Sequence, residues 1–327
     1  MKRVVITGGT GFVGANLARR MLQDGYEVHL VVRPTFDSWR IEDIRESVHL
    51  HLVNLLDADS VNSIFQKIQP QWVFHLAAHG AYSWQTNMQP MLETNLIATI
   101  NLVQAALKAD VETFVHTGSS SEYGVKDHAP AESDSLEPNS LYAVTKASAS
   151  LYCRYIGQSQ TFPLITLRLY SVYGPYEEPA RLIPTLLVSS LNGQLPPLAQ
   201  PDIARDFVYI DDVVNAYLIV ASQAHHLEPG AIYNVGSGIQ TTLRQVVEIA
   251  REIFSIQAEP RWGAMPNRGW DTKHWTADNR KIKRELGWQP RVSLKQGLEQ
   301  TTKWFRDNPQ ILNWYQQHLT RPVAVAS

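Results

Sequence analysis

The N-terminal part of the chain alternates short apolar stretches with longer stretches whose apolar residues recur at helical spacing. Val13, Leu17 and Met21 recur every four residues, and Gly25 then supplies a helix stop. A second helical pattern runs from Leu96 to Leu107. The short stretches are largely apolar, which is typical of strands in a parallel sheet that is covered on both faces. These predicted strands are Arg3–Thr7, Glu27–Val32, His49–Val53, Trp72–Leu76 and Thr113–Gly118.

The repeated order of strand and helix predicts an α/β protein with a doubly wound parallel sheet of the Rossmann type. From about residue 170 the composition changes, because six prolines fall between positions 175 and 201 and four tryptophans between 262 and 288. We therefore expect a Rossmann domain over residues 1–170 and a smaller, loop-rich substrate-binding lobe over 171–327. The last strands and helices of the first domain should interleave with this C-terminal lobe.

Composition and charge exclude several classes of protein. The 327 residues include 29 Lys and Arg and 31 Asp and Glu, so the net charge of −2 argues against nucleic-acid or membrane-surface binding. A single cysteine, Cys153, excludes a disulfide framework within the chain. Apolar runs stay well below the roughly 18 residues of a membrane span. These features predict a cytoplasmic globular protein.

A glycine-rich turn follows the first predicted strand and leads into the first predicted helix. Gly8, Gly11 and Gly14 form a GxxGxxG frame. Glycine permits the tight turn and lets a pyrophosphate approach the backbone, while the helix N-terminus offers free N–H groups. The context predicts a dinucleotide site formed by Gly8, Thr10, Gly11, Phe12, Val13 and Gly14.

The end of the second predicted strand bears on which dinucleotide binds. An acid at this place would bind the ribose 2′-hydroxyl of NAD, whereas an arginine accommodates the 2′-phosphate of NADP. Here the strand is followed by Arg33, with Arg40 close behind and no acid before Asp37. We therefore expect NADP, with NAD as the alternative.

A tyrosine and a lysine stand four residues apart in a stretch of helical composition. Tyr142 and Lys146 would share one helix face. A phenol titrates near pH 10 on its own, and an adjacent ammonium lowers its pKa. Such a tyrosine can exchange a proton with an alcohol or sugar oxygen. The serines 119–121 at the end of the fifth predicted strand offer a hydroxyl for the same oxygen.

With these residues in place, the chain resembles the extended short-chain dehydrogenases/reductases that act as nucleotide-sugar epimerases, dehydratases and reductases. The resemblance covers roughly 300 residues. It rests on TGGTGFVG at 7–14, HLAA at 75–78, SSSEYG at 119–124, YAVTK at 142–146, RLYSVYGP at 168–175, RDFVYIDDV at 205–213 and YNVGSG at 233–238.

The resemblance implies a role for each matching residue. The catalytic residues would be Ser119, with Ser120 as the alternative, Tyr142 and Lys146. Two departures stand out, since Asn54 replaces the usual adenine-binding Asp and Ser171 replaces an Asn that contacts phosphate. The further cofactor contacts would be Asn54, Leu55, Leu76, Ala77, Ala78, Tyr170 and Val172, beside Tyr142 and Lys146. The substrate contacts would be His79, Ser120, Ser171, Arg181, Arg205 and Arg268.

The resemblance also implies a nucleotide-diphosphate sugar as substrate and a homodimer that packs two helices from each subunit. Dehydratases of the family carry an acid two residues after the catalytic hydroxyl, a place that Ser121 takes here, with Glu122 one residue later. This argues against dehydration. Since epimerases of the family usually retain NAD, the NADP-type Arg33 favours reduction of a 4-keto-6-deoxyhexose nucleotide over epimerisation. The alternatives are a 4-epimerase, a 4,6-dehydratase and, from another class, a non-catalytic dinucleotide sensor. No metal is expected, because His49 and His51 lack a third ligand at a recognisable spacing.

Overall fold

The computed structural model describes residues 1–82, 84–265 and 271–319. The described residues form eleven strands, of which the first five agree with the predicted ones to within a residue at each end. They are β1 (Arg3–Thr7), β2 (Glu27–Val32), β3 (His49–Leu52), β4 (Trp72–His75), β5 (Thr113–Ser119), β6 (Leu164–Leu169), β7 (Ser171–Tyr173), β8 (Ala204–Arg205), β9 (Phe207–Tyr209), β10 (Ile232–Val235) and β11 (Thr241–Thr242).

The helices separate these strands and several begin at a side-chain cap. Asp57, for example, accepts hydrogen bonds from Asp59 N and Ser60 N at the start of α2. The helices are α1 (Phe12–Gln23), α2 (Ala58–Ile68), α3 (Met88–Leu92), α4 (Ala98–Lys108), α5 (Leu141–Gln160), α6 (Leu182–Leu191), α7 (Ile210–Gln223), α8 (Leu243–Phe254), α9 (Arg280–Leu286), α10 (Leu294–Asp307) and α11 (Pro309–His318).

Seven strands form one parallel sheet in the order β10-β6-β5-β4-β1-β2-β3. The order reverses direction at β1, where the chain moves from β3 across to β4, as in doubly wound folds. The predicted fold class is therefore confirmed. The carboxyl ends of all seven strands lie at one edge of the sheet, and that edge is where ligands bind in such folds.

Helices cover both faces of the middle of this sheet, which explains why strands such as β1 and β4 are buried and largely apolar, whereas the edge strand β3 alternates His and Leu and is partly exposed. Val4 and Ile6 pack on one face with α1 and α7, whereas Val5 packs on the other face with α2 and α4. Adjacent residues of one strand thus enter two separate cores, so a clean polar–apolar alternation is absent from β1.

The chain beyond residue 170 contributes to the sheet as well as to smaller structures. β10 extends the seven-stranded sheet next to β6, while β7 pairs with β9 and β11 pairs with β8 outside it. The division of the chain at residue 170 stays a prediction. Over the described residues, none of the helices combines the length and apolar character that crossing a bilayer requires.

Candidate active site

Ser119, Tyr142 and Lys146 come from two adjacent elements at the carboxyl edge of the sheet. Ser119 is the last residue of β5, and the other two lie in the first turns of α5, which packs against β5 and β6. The Ser140 side chain begins this helix by accepting a hydrogen bond from Ala143 N at 3.2 Å. Because the cap fixes where α5 starts, it also fixes the two functional side chains relative to the sheet.

Tyr142 carries a phenol that stays protonated at neutral pH. Burial raises its pKa to about 12, although a hydrogen bond with Ser119 and the nearby charge of Arg181 partly oppose this rise. The sequence predicted that Lys146 would lower this pKa, and that prediction is wrong for this structure. Removal of the phenolate from water outweighs the electrostatic help that the site supplies.

Lys146 is almost completely buried, at 2% exposure, and its ammonium has a fixed partner. Its Nζ donates a hydrogen bond to the carbonyl oxygen of Thr117 at 2.6 Å. Burial lowers its pKa to about 8, with Glu122 acting in the opposite direction. Lys146 lies one helical turn after Tyr142 on α5.

Glu122 follows Ser119 by three residues and is fully buried. Its carboxylate accepts hydrogen bonds from Ser119 N at 2.8 Å, Ser150 Oγ at 2.9 Å and Arg168 Nε at 2.7 Å. It completes a capping box with Ser119 at the start of a short 3-10 helix, Ser120–Tyr123. The sequence did not settle the role of Glu122. In the structure its two oxygens are bound to the protein and hold Ser119 in place.

Asn95 connects the catalytic helix to the loop after β4, a function that its place in the sequence did not reveal. It lies in a single π-helical turn, Glu93–Ile97, between α3 and α4. Its amide binds both the N–H and the C=O of His79 at 2.8 Å and donates to Thr145 Oγ1 at 2.9 Å. Turns of this kind are frequent at functional sites. Here the turn aligns the loop that carries His79 with α5.

The glycine turn fits a dinucleotide pyrophosphate. Gly8 has φ +69°, and a Cβ there would lie 2.6 Å from the backbone of Leu76 and Ala77. A Cβ on Gly14 would lie 2.3 Å from Gly8 O. Because Gly11 is the N-cap of α1 and has no side chain, the first N–H groups of that helix remain available to an anion. Thr10, Phe12 and Val13 are half-buried along the same turn.

The end of β2 forms an open hollow on the adenosine side of this turn. Arg33 lines it together with Arg45, Ser38 and Asp37. The sequence analysis missed Arg45, because it lies twelve residues further along the chain in a 3-10 helix, Glu42–Ser47. The two guanidinium groups and a hydroxyl give this hollow the donors that a phosphate requires.

Arg40 has a different environment from the one that the sequence predicted. It is buried, its Nη2 donates to Glu178 Oε2 at 3.0 Å, and its Nε donates to Tyr176 O at 2.8 Å. The carboxylate of Glu178 neutralises the buried guanidinium charge of Arg40. The pairing gives Arg40 a structural role in place of the predicted phosphate contact.

The other predicted cofactor residues lie along the carboxyl edge with different exposure. Asn54 is exposed, and its side chain accepts a hydrogen bond from Leu56 N. Tyr170 is buried, and within the described part of the chain its hydroxyl has no hydrogen-bond partner. The remaining predicted cofactor residues are apolar and half-buried or exposed. They are Leu55, Leu76, Ala77, Ala78 and Val172.

The predicted substrate residues fall into two groups. Arg181 lies over the ring of Tyr82 at 5.3 Å and acts electrostatically on Tyr142, whereas His79 is held by the amide of Asn95. Burial, and then the charge of Arg33, lower the pKa of His79. Ser120 is buried beside Ser119, and Ser171 begins β7.

The second group lies in the C-terminal part of the chain. Arg205 donates from Nη2 to Asp271 Oδ1 at 2.6 Å and lies 5.6 Å from the ring of Trp275. Arg268 lies outside the described residues. Ser119, Tyr142, Lys146 and the glycine turn thus all lie at the carboxyl edge of the sheet, and their roles, like the predicted diphosphate clamp, stay predictions.

Comparison with known proteins identifies the family. The model of the NAD dependent epimerase/dehydratase family matches residues 4–236. The chain is 29% identical over 319 residues to UDP-glucose 4-epimerase of Mycolicibacterium smegmatis, covering 94% of this chain and all of that protein. A crystal structure of Thermus thermophilus UDP-glucose 4-epimerase in complex with NAD superposes with a TM-score of 0.82 at 28% identity, covering 94% of this chain and 99% of the other.

A third relative is longer than this protein. It is the trifunctional UDP-glucose 4,6-dehydratase/UDP-4-keto-6-deoxy-D-glucose 3,5-epimerase/UDP-4-keto-L-rhamnose-reductase of Arabidopsis thaliana, which is 28% identical over 326 residues. The match covers 94% of this chain, and the chain spans about half the length of that relative, 48%. These relatives are named enzymes, and the predicted family is confirmed. The chain belongs to the NAD dependent epimerase/dehydratase family of extended short-chain dehydrogenases/reductases.

Proposed function

We propose that the protein is an NADP-dependent reductase of a 4-keto nucleotide sugar, with a 4-keto-6-deoxyhexose as the sugar. The observation that carries this proposal is the half-buried Tyr142, whose phenol is hydrogen-bonded to Ser119 at the carboxyl edge of the sheet. Reduction of a ketone needs a proton donor at the carbonyl oxygen. A phenol whose pKa is raised to about 12 by burial is a donor at neutral pH.

A bound reduced nicotinamide would supply the hydride that adds to C4 of the sugar. Tyr142 would donate its phenolic proton to the C4 oxygen as the carbonyl becomes a hydroxyl. Ser119 would hydrogen-bond the same oxygen, and Glu122 keeps Ser119 in position through the backbone N–H. Gly8, Gly11 and Gly14 would hold the pyrophosphate, and Lys146 would contact the adjoining ribose.

The environment of Glu122 argues against the dehydratase alternative. A dehydratase needs a carboxylate that removes a proton from the sugar, but both oxygens of Glu122 accept hydrogen bonds from buried donors. Its partner Arg168 is itself 2% exposed. Taking a proton would break a buried ion pair, which is a costly change.

NADP is the proposed cofactor because two arginines share the hollow at the end of β2. Arg33 and Arg45 are exposed there, and Arg33 is the main candidate for contact with a 2′-phosphate because Arg45 Nη1 also lies 3.8 Å from Glu42 Oε2. The Thermus thermophilus epimerase structure contains NAD, but this describes the cofactor of that epimerase and not of this chain. A 4-epimerase remains the alternative, because Ser119 and Tyr142 would also serve that reaction. Tyr142 would then start as the phenolate and take a proton from the C4 hydroxyl.

We also propose a homodimer in a reducing, cytoplasmic compartment. α5 exposes Leu151 at 54% and Tyr155 at 67%, although both are apolar or aromatic. Such a face is typical of a helix that packs against another subunit. Light scattering of the purified protein should give twice the mass of 36.9 kDa.

Transfer of deuterium from 4-deuterated NADPH to a panel of 4-keto nucleotide sugars tests the main proposal. We expect deuterium at C4 of the product and one NADPH consumed for each product molecule. Conversion of a 4-hydroxy nucleotide sugar into its 4-epimer without net consumption of cofactor would instead establish the epimerase. Release of water with formation of a 4-keto-6-deoxy product would establish the dehydratase.

A further inference from the structure

The amino-terminal edge of the sheet, opposite to the active site, brings together residues that are far apart in the sequence. β2 and β3 pair in parallel register, with His29 opposite His49. Glu27 precedes His29 by two residues and so lies on the same face of β2, and His51 likewise shares the face of His49. Strand pairing therefore places two further potential ligands, Glu27 and His29, beside His49 and His51.

Three of these side chains converge on one point. Glu27 Oε1 lies 3.0 Å from His29 Nε2 and 3.9 Å from His49 Nε2. One ligand atom from each of the three residues lies within 4.8 Å of the others. Donor atoms around a tetrahedral zinc ion stand roughly 3.4 Å apart, given bonds of about 2.1 Å. The two separations from Glu27 bracket this value. The His29 and His49 rings stack with centroids 4.7 Å apart, so binding requires these rings to rotate until both nitrogens face the ion.

His51 provides the support that metal-binding imidazoles usually have. Its Nε2 lies 3.0 Å from His29 Nδ1, and the two rings stack at 5.2 Å. When His29 Nδ1–H donates to His51, His29 Nε2 carries a lone pair that points toward Glu27. A hydrogen bond at the second ring nitrogen fixes the tautomer and ring orientation of a metal ligand in this way.

We propose that Glu27, His29 and His49 form a binding site for a divalent first-row transition-metal ion of the zinc type, with His51 as a positioning residue and water as the fourth ligand. Two imidazoles and one carboxylate are ligands that such ions prefer over Mg²⁺ or Ca²⁺. In binding, the ion would take the place of the proton shared between His29 Nε2 and Glu27.

Solvent can reach this site from one side. The side chains of His49, Glu27 and His29 are 60%, 35% and 8% exposed, so one ligand is fixed in the sheet and two are accessible. Arg3 acts electrostatically on His29, and Lys67 acts on His51. These two cations weaken binding, and the Glu27 carboxylate offsets one of them.

The ion would have a structural role. β3 is the last strand of the sheet and pairs only with β2 in the described structure. A metal bound by Glu27 and His29 on β2 and by His49 on β3 would join this edge strand to its neighbour. The site lies at the amino-terminal ends of the strands, so the ion would not contact the reacting sugar at their carboxyl ends.

Titration of untagged, EDTA-treated full-length protein with zinc chloride tests the proposal by calorimetry and thermal unfolding. We expect one high-affinity ion per chain and a higher unfolding midpoint, whereas magnesium chloride should change neither. His49→Ala should reduce zinc affinity at least tenfold. Because the His49 side chain is exposed, we expect this variant to fold, and circular dichroism checks that it does. Replacement of His51 by Phe should weaken affinity about 10- to 100-fold.

The exposed pair His225/His226 offers a matched control for adventitious binding. Replacement of both with Ala should leave zinc affinity and the midpoint shift unchanged. The proposal is overturned if the parent protein binds no zinc. It is also overturned if His49→Ala binds zinc as tightly as the parent, because the ion would then occupy another place. Reductase activity is not involved in any of these readouts, so failure here leaves the proposed function untouched.

Discussion

The two ends of the dinucleotide site differ in how the protein holds its polar groups. At the catalytic end, Ser119 and Lys146 are 8% and 2% exposed and each is bound to other parts of the protein. At the adenosine end, Arg33, Arg45 and Asn54 are exposed. The catalytic end is built before any ligand arrives, and the adenosine end is open to solvent.

This difference follows from what each end must do. Proton transfer at a carbonyl requires fixed distances, which burial and hydrogen bonds to the sheet provide. Recognition of a phosphate by exposed arginines tolerates movement but is screened by water and salt. Substitutions at the catalytic end should therefore have large effects on rate or folding, and those at the adenosine end should have smaller effects on binding.

The largest effect should come from Tyr142→Phe. Removing the phenol takes away the proposed proton donor, and general acid catalysis contributes about 100- to 10,000-fold. We expect kcat for the reductase reaction to fall about a thousandfold, with the affinity for NADPH nearly unchanged. Steady-state kinetics and fluorescence titration with NADPH measure the two quantities.

Tyr26→Phe is the matched control, because Tyr26 packs against Trp72 near the opposite edge of the sheet, with ring centroids 5.3 Å apart. It should leave kcat unchanged. A Tyr142→Phe variant that binds NADPH and keeps more than a tenth of the parent kcat would contradict the proton-donor role. A parent protein that binds NADPH but shows no turnover with any 4-keto nucleotide sugar would instead favour the non-catalytic sensor.

Glu122→Gln should mainly reduce stability. The substitution leaves Arg168 buried without its anionic partner, and breaking a buried pair in this way costs roughly 3 kcal/mol. Urea unfolding should show a free energy of unfolding lower by this amount. Glu112→Gln breaks the exposed pair with Lys2 and should cost less than about 1 kcal/mol. If Glu122→Gln instead folds as stably as the parent and loses turnover, Glu122 acts as a base and the dehydratase alternative gains support.

The structure of the cofactor half was predictable because its signals are local. Gly8 and Gly14 stand where a Cβ would meet backbone atoms, and five apolar strands end within one residue of their predicted bounds. Arg40 and Arg45 show the limit of such reasoning. Whether an arginine faces a hollow or a buried carboxylate depends on Glu178, which is 138 residues away from Arg40.

The catalytic set was predictable in identity but not in its electrostatics. The spacing of Tyr142 and Lys146 placed both on α5, yet the direction of the pKa shift of Tyr142 depends on burial by elements distant in sequence. The contact between Asn95 and Thr145 spans 50 residues and has no local signal. Contacts of this kind arise only when the sheet and its helices pack together.

A smaller effect at the catalytic end should appear as a dependence of stability on pH. His75 ends β4, bound between Thr7 and Thr99, and burial lowers its pKa to about 3. The unfolded chain binds a proton below pH 6.5 and the folded protein does not, so unfolding becomes easier as the pH falls from 6.5 toward 3. By pH 5 this residue should remove about 2 kcal/mol from the free energy of unfolding.

His75→Gln isolates this contribution, because Gln keeps polar atoms for both hydroxyls but does not titrate. Burial raises the pKa of Glu177 to about 8, which acts in the opposite direction, so the test compares the two proteins rather than one curve. Between pH 7 and pH 5, urea unfolding should show the parent losing about 2 kcal/mol more than the variant. Equal losses in both would contradict a neutral buried imidazole.

The smallest effect should come from Arg33→Ala at the adenosine end. An exposed guanidinium beside a 2′-phosphate contributes a screened, charge-assisted contact, so we expect KM for NADPH to rise about tenfold, or roughly 1.4 kcal/mol. KM for NADH should stay the same, since that cofactor has no 2′-phosphate. The rise should shrink at high salt because the two charges are then screened.

The control is Arg244→Ala, since Arg244 is another exposed arginine outside the hollow, and this variant should change neither KM. Equal increases in both KM values for Arg33→Ala would show that Arg33 does not distinguish the two cofactors. The open end of the site would then lack the specificity that its two arginines suggest, and the proposed preference for NADP would fail while the catalytic end remained unaffected.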